Sequence, residues 1–309
     1  TQTQSGFDLL STMVEKQTNN LPLFGVPVLI WGSTWYVITF QLGIVDPLLS
    51  VSYRFLASAL ILITFCFMTK RSLKFTFKEH LRIALQGVLL FGFSYWFTYQ
   101  SEEIINSGLV AIGFSTIIFF NIIFGAIFLK LRIVPKVISG AALGLLGTVI
   151  IFKDELTKFS VAGDSTKGLM LLLLGVSIAS LGNIASAKNS RLKIPVIQAS
   201  AFGMGYGGIV MLSIALVLNK PLVFDTSTAY LLSLSYLILF GSIIAFTAYL
   251  TLMSRIGPDK AAYAIVLIPL VAVTISTIFE EFDFTLYTGL GMALLLFGNY
   301  LALAKRNTK

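Results

Sequence analysis

The chain has 309 residues, of which 56% are hydrophobic and only 12% charged, and its mean hydropathy is +0.89. A soluble globular domain has about 25% charged residues, so this composition excludes that class and indicates an integral membrane protein. The net charge of +8 is distributed over short breaks between apolar runs, which excludes the single basic face of a nucleic-acid-binding protein. Cys66 and His80 are the only residues of their types, so a disulfide framework and the usual zinc sites are also excluded.

Runs of about 20 mostly apolar residues predict ten membrane-spanning helices. They lie near residues 22–44, 47–69, 81–101, 105–130, 134–152, 167–188, 195–218, 229–253, 259–279 and 285–304. Residues 1–20 precede them as a cytoplasmic tail without a signal-peptide pattern. The predicted fold is therefore an all-α membrane protein.

The lysines and arginines in the breaks predict the orientation of the spans. If the N-terminus is cytoplasmic, the inner segments hold 17 of the 22 basic residues and the outer breaks hold four, the remaining one being Arg54. This distribution follows the positive-inside rule. Both termini are accordingly predicted to be cytoplasmic.

Two pairs of similar segments indicate an internal duplication. "LFGFSYWFT" (90–98) in the third span matches "LFGSIIAFT" (239–247) in the eighth, and "GAALGLLG" (140–147) in the fifth matches "GMALLLFG" (291–298) in the tenth. A unit of five spans enters the membrane from opposite sides in its two copies, so the halves are predicted to be inverted repeats. The predicted divisions are a first repeat (21–152), an extracytoplasmic linker (153–166), a second repeat (167–305) and a cytoplasmic C-terminus (306–309).

Aromatic side chains at helical spacing are the first candidates for a binding site. Trp31 and Trp35 are one turn apart in the first span, and Tyr95 and Tyr99 repeat that spacing in the third. A buried indole or phenol needs a polar partner, which a watery cavity supplies. For Tyr99, an aromatic belt at the membrane interface is an equally good interpretation.

Polar groups deeper in the spans extend this candidate site. Asn121 and Asn183 place amides at bilayer depth in the fourth and sixth spans, and Pro269 in the ninth span removes a helical hydrogen bond two turns from Tyr263. These residues are predicted to bind the substrate. The alternative for the two asparagines is a hydrogen bond that joins neighbouring helices.

Arg54 is a permanent charge inside the second span. At 1.5 Å per residue it lies about 10 Å below the outer end of its helix, close enough for its guanidinium to extend back toward the outer surface. We predict a structural or gating ion pair with acids at the outer ends of the spans: Glu102, Glu103, Glu280 and Glu281. The alternative is a clamp on a substrate carboxylate, which the guanidinium geometry suits.

The distribution of acids limits the chemistry further. All 14 acidic residues fall in tails, loops or span ends, so the sequence does not support a proton carrier at the midplane, although the acids near the outer ends could titrate. The spans contain neither paired carboxylates nor a Ser/His pair. We therefore predict that the protein is not an enzyme and uses neither a cofactor nor a metal.

Several segments resemble EamA-type members of the drug/metabolite transporter superfamily. They are "LIWGSTWYVI" in the first span, "SYRFLASALIL" in the second, "GPDKAAYAIVLIPLVA" in the ninth and "GLGMALLLFGNYL" in the tenth. The resemblance implies ten helices in inverted five-helix repeats, alternating access, and a central cavity lined by spans one, three, four, six, eight and nine.

The resemblance also implies a function. We expect a secondary transporter in a prokaryotic inner membrane that exports a small metabolite, foremost an amino acid or related solute. The alternatives are a carrier of drugs, toxic cations or other metabolites, or a channel. The expected partners are this solute and the lipid bilayer, without nucleic acid, and a monomer is compatible with the sequence.

Overall fold

The computed structural model describes residues 20–105, 110, 113–151, 153, 164–279 and 284–303. Within these ranges the chain is helical and has no strand, which confirms the predicted all-α class. Glu280 and Glu281, the tail 1–19, most of the predicted linker and residues 304–309 lie outside the described residues.

The described part of the chain folds into a succession of apolar helices. In chain order they are α1 (Leu21–Thr39), α2 (Pro47–Met68), α3 (Phe77–Glu102), α4 (Ile117–Leu129), α5 (Pro135–Ile151), α6 (Asp164–Arg191), α7 (Val196–Val217), α8 (Thr228–Ile256), α9 (Pro258–Val266 with Ile268–Phe279) and α10 (Leu286–Leu303). Seven of them are long and apolar enough to cross a membrane, and α4, α5 and α10 are shorter apolar helices. The protein is therefore an integral membrane protein.

Local capping explains where several helices begin and end. The side chain of Asp46 accepts a hydrogen bond from the backbone N–H of Leu48 (3.0 Å) ahead of Pro47, and Thr76 and Glu79 form a capping box that starts α3 earlier than its apolar run predicts. The predicted first span runs to residue 44, but α1 ends at Thr39. The helices α2, α4, α6 and α7 are followed by left-handed residues: Lys70, Lys130, Lys193 and Asn219.

Two of the helices contain a π-helical segment. Val88–Phe93 interrupts α3 and Leu237–Ile244 interrupts α8. Each begins two residues before the Leu-Phe-Gly that the two sequences share, so the two segments are in register with the repeat. π-Helical turns are rare and often occur at functional sites.

Helices of the first five pack mainly against helices of the last five. α2 packs along α7 and α5 along α10, while α1 packs on α8 and α9 and α6 packs on α3 and α4. Large apolar side chains remain exposed on the outer surfaces of the helices, including Leu29, Phe67, Met170 and Leu232. That surface is suited to lipid, and the polar side chains that the structure buries lie between the helices.

Glycines allow close contact between α5 and α10. A Cβ added to Gly147 would lie 2.6 Å from the carbonyl oxygen of Gly291, and one added to Gly298 would lie 2.6 Å from that of Gly140. The two backbones therefore touch at two points, which only residues without a side chain permit.

Candidate functional site

Six helices, α1, α3, α4, α6, α8 and α9, surround a central cavity, and they are the six that the family resemblance implied. Its polar lining consists of Thr34, Trp35, Ser94, Tyr95, Thr98 and Asn183. Aromatic and aliphatic side chains supply the rest, among them Trp31, Phe114, Phe246 and Tyr249. The lining contains no charged side chain among the described residues.

The cavity is small. The space reachable by the centre of a water molecule is about 60 Å³. One water needs roughly 10–15 Å³ on this measure, so the cavity holds a few waters or a solute of comparable size.

Trp31 and Trp35 share a face of α1 but have different partners. The indole N–H of Trp31 donates to the carbonyl oxygen of Gly241 in the π segment of α8 (3.0 Å), and its ring packs edge-on against Phe246 (4.8 Å between centroids). The ring of Trp35 packs against Phe114 (5.2 Å), but its buried N–H has no hydrogen-bond partner among the described residues. Trp35 therefore leaves a donor free for a ligand.

Asn183 provides the complementary group. Its amide nitrogen donates to the hydroxyl of Tyr249 (3.4 Å) and to Oδ1 of Asn121 (3.5 Å), and its own buried Oδ1 has no partner in the part of the chain that the structure describes. A free donor and a free acceptor thus lie among the residues that line one cavity. Because an unsatisfied buried polar group costs about 1–3 kcal/mol, a ligand that pairs with both would bind there favourably.

Asn121 lies behind the cavity wall. Its Oδ1 also accepts from the hydroxyl of Ser180 (2.6 Å), and its amide nitrogen donates to the carbonyl oxygen of Pro258 (3.3 Å). We name Asn121, Ser180, Asn183 and Tyr249 the Asn121 cluster. It joins α4, α6, α8 and the start of α9 through neutral hydrogen bonds, as the interhelical alternative for Asn121 proposed.

Arg54 is almost wholly buried, with 1% of its surface exposed. Its Nε donates to the hydroxyl of Ser242 (2.8 Å) and its Nη1 to that of Tyr99 (3.4 Å), while the guanidinium carbon lies 4.7 Å from the ring centroid of Tyr95. We name these four residues the Arg54 cluster. No described carboxylate oxygen lies within 4.0 Å of the guanidinium, so hydroxyls and a ring hold it where acids were expected.

Besides Asn121, three further predicted site residues lie outside the cavity lining. Tyr99 belongs to the Arg54 cluster. Tyr263 is fully buried and donates to the carbonyl oxygen of Val137 in α5 (2.6 Å). Pro269 is buried at the second residue after the break in α9 at Leu267, next to the lining residue Ile268.

Acidic and basic groups meet at the end of α3. Lys220 forms an ion pair with Asp46 (2.7 Å). Hydrogen bonding to Asp46 raises the pKa of Lys220 above its usual range. The pKa of Glu103 is also raised, first by burial and then by the charge of Asp46, against the opposing effect of Lys220.

The sequence analysis missed several lining residues. Ser94 and Thr98 are one turn apart on α3, and Phe246 and Tyr249 are nearly so on α8, which is the same spacing that singled out Trp31 and Trp35. That spacing could have identified them. Among the described residues no group of three His, Cys, Asp or Glu side chains is placed to hold a metal ion.

A family model described as the EamA-like transporter family matches residues 21–153 and 166–304. The chain belongs to this family. It is 30% identical over 263 residues to the "Uncharacterized inner membrane transporter YedA" of Escherichia coli (strain K12), covering 83% of this chain and 82% of that one. The family and these names indicate transporters rather than enzymes.

More distant relatives cover nearly the whole chain. "Protein PagO" of Salmonella typhimurium (strain LT2) is 23% identical over 92% of this chain and 93% of its own. A "Probable amino-acid metabolite efflux pump" of Escherichia coli (strain K12) is 25% identical over 89% and 91%. A protein of known crystal structure, 16% identical, superposes with a TM-score of 0.74 over 93% of this chain and 96% of that one, and it shares the fold.

Proposed function

We propose that the protein is a secondary transporter that exports a small zwitterionic metabolite, an amino acid or a close relative of one, across a prokaryotic inner membrane by alternating access. The observation that carries this proposal is the cavity between six helices, with the free indole donor of Trp35 and the free amide acceptor of Asn183. A carboxylate accepts from an indole N–H, and an ammonium group donates to an amide oxygen. One zwitterion can satisfy both.

The volume of the cavity favours a small member of this class. A space for a few waters suits an amino acid with a short side chain, and an aromatic amino acid would require the lining to move. The uncharged lining favours a solute without net charge over a cation or an anion. The relative named as a probable amino-acid metabolite efflux pump supports the same class.

We infer that the ten helices form two inverted five-helix repeats. The in-register π segments of α3 and α8 support this, as do the two stretches of similar length that the family model matches. In α5 and α10, Gly147 meets Gly291 and Gly140 meets Gly298. Because Gly140 corresponds to Gly291 and Gly147 to Gly298 in the repeat, the contact is reciprocal, as a two-fold axis requires.

Counterflow tests the proposed activity. Purified protein in liposomes loaded with unlabelled L-alanine, L-threonine or L-phenylalanine should accumulate the same labelled amino acid, with the two small solutes exchanged faster than L-phenylalanine. A channel gives no counterflow, and its absence for all three amino acids would refute the proposal.

A matched pair of variants locates the site. Trp35→Phe keeps an aromatic ring but removes the free donor, so the concentration for half-maximal exchange should rise about tenfold, the equivalent of one hydrogen bond. Trp96→Phe makes the same change on α3 outside the cavity lining and should leave exchange unchanged. Equal effects of the two substitutions would remove Trp35 from the site.

Cysteine labelling tests the proposed orientation, with both termini cytoplasmic. Thr226 and Lys74 are exposed in loops on opposite sides of the membrane under this orientation. In a Cys66→Ala background, an impermeant maleimide added to intact cells should label Thr226→Cys and not Lys74→Cys. The opposite pattern would invert the topology.

A further inference from the structure

Glu102, the last residue of α3, has a buried carboxyl group without a partner. Both carboxyl oxygens are shut off from solvent, and neither has a hydrogen-bond partner in the described structure. An ionised carboxylate in such a place is costly, because burial removes its hydration and nothing replaces it. The same group carrying a proton is neutral and tolerates burial far better.

The Arg54 guanidinium lies on the side of this carboxyl group. Among the groups on the helices packed against α3, the Arg54 guanidinium on α2 interacts electrostatically with Glu102. On the same helix, Tyr95 and Tyr99 lie on the face that Glu102 continues, and both interact with Arg54. On α6, Lys167 is exposed, and the adjacent Gly168 carbonyl accepts from Ser101.

Arg54 hydrogen-bonds to α8 as well as to Tyr99 on α3. It donates to Ser242, and Ser242 follows Gly241, whose carbonyl oxygen accepts from Trp31 in the cavity wall. Ser242 is a neutral acceptor, whereas an ionised Glu102 would be a charged one. Charged acceptors make hydrogen bonds roughly twice as strong as neutral ones. An ionised Glu102 would therefore compete with Ser242 for Arg54.

We propose that Glu102 is a proton-binding site, and that Glu102 and Ser242 share Arg54. With the proton bound, Arg54 bridges α2 to the π segment of α8, as described here. When the proton leaves for water at the end of α3, the carboxylate pairs with Arg54 and the contact with Ser242 is released. Proton release thereby loosens the segment of α8 that holds Trp31. The consequence for transport rests on the proposed function, but the proton site itself does not.

Infrared difference spectroscopy during a pH titration of the purified full-length protein detects such a site directly. A buried carboxylic acid gives a carbonyl stretch that vanishes when the acid ionises. The wild type should show this band, Glu102→Gln should lose it, and Glu103→Gln, which changes the neighbouring acid, should keep it. If the band persists in Glu102→Gln, the proposal is overturned.

Ser242→Ala tests the sharing of Arg54. It removes the competing acceptor with little change in volume, so the midpoint of the Glu102 band should move about one pH unit toward acid, equivalent to a hydrogen bond of ordinary strength. A merely structural serine would not move this band. An unshifted midpoint would refute the sharing of Arg54.

The transport consequence has a separate readout. In liposomes that exchange L-threonine, a pH gradient should change the net flux of the wild type and have no effect on Glu102→Gln. An equal response of both proteins would refute the coupling. If the infrared band behaves as expected but no amino acid is exchanged, the proposed function fails and the proton site stands. If amino acids are exchanged but the band is missing, the proton site fails and the proposed function stands.

Discussion

The Arg54 cluster and the Asn121 cluster both bury polar groups between helices, but they satisfy them differently. In the Asn121 cluster, neutral amides and hydroxyls bond to one another and to the carbonyl oxygen of Pro258. The Arg54 cluster contains a fixed charge held by two hydroxyls and a ring, with the unpartnered carboxyl of Glu102 nearby.

This difference indicates what each cluster can do. Neutral hydrogen bonds inside a membrane have no better partner to move to, so they join helices in one arrangement. A buried charge near a titratable group has two arrangements that differ by one proton. The Arg54 cluster is therefore suited to changing between two arrangements, and the Asn121 cluster to keeping its helices in one arrangement.

Reversing the charge of Arg54 should have the largest effect. Arg54→Glu places a second acid near Glu102 in a buried site, and we expect a destabilisation of about 3–5 kcal/mol, measured as thermal unfolding in detergent. Arg54→Met is the control: it removes the charge while keeping a long apolar side chain, and should cost much less. Equal melting temperatures for the two variants would mean that charge does not govern this cluster.

Asn121→Leu should have the next largest effect. It removes the acceptor of Ser180 and the donor to Pro258, so the free energy of unfolding should fall by about 1–3 kcal/mol, and exchange should weaken because Asn183 loses its support. Asn189, which donates to Gln86 (2.9 Å) on α3, provides the matched amide. Asn189→Leu should lower stability without changing solute affinity, and a matching loss of affinity would argue against a special role for the Asn121 cluster.

Substitutions of the two tryptophans of α1 should have different effects on stability and on solute binding. Trp31→Phe removes a hydrogen bond to Gly241 and should lower the unfolding free energy by about 1 kcal/mol. Trp35→Phe removes an N–H that has no partner among the described residues, so relief of the unsatisfied donor offsets the smaller ring, and stability should not fall while solute binding weakens. Differential scanning fluorimetry with and without L-threonine measures both. Equal destabilisation by the two substitutions would show that the N–H of Trp35 is satisfied.

The partly exposed ion pair of Lys220 and Asp46 should have the smallest effect. An exposed pair contributes about 0–1 kcal/mol, so Lys220→Met should barely lower the melting temperature near neutral pH. Because the folded-state pKa of Lys220 is raised, its contribution is complete below the unfolded pKa of about 10.4 and is lost as pH rises through the folded value. Melting curves of the two proteins should converge at alkaline pH, and a gap that widens there would contradict this assignment.

The sequence by itself determined the features that depend on local composition. Runs of apolar residues specified the all-helical membrane class, because a helix satisfies its backbone hydrogen bonds internally wherever water is absent. The two Leu-Phe-Gly segments that indicated a duplication coincide with the two π segments, which the sequence did not predict. Helical spacing also predicted that Trp31 and Trp35 line the cavity together, because side chains one turn apart lie on the same face of a helix.

Only the tertiary structure decided what each polar group contacts. Trp31 and Trp35 have the same chemistry and lie one turn apart, but the carbonyl oxygen of Gly241 on the distant α8 reaches only Trp31. Tyr263 looked like a cavity residue and bonds instead to Val137 on α5, and Arg54 meets Ser242 rather than an acid. These partners lie more than a hundred residues away along the chain, so no local pattern contains them. Their identity follows from how the helices pack.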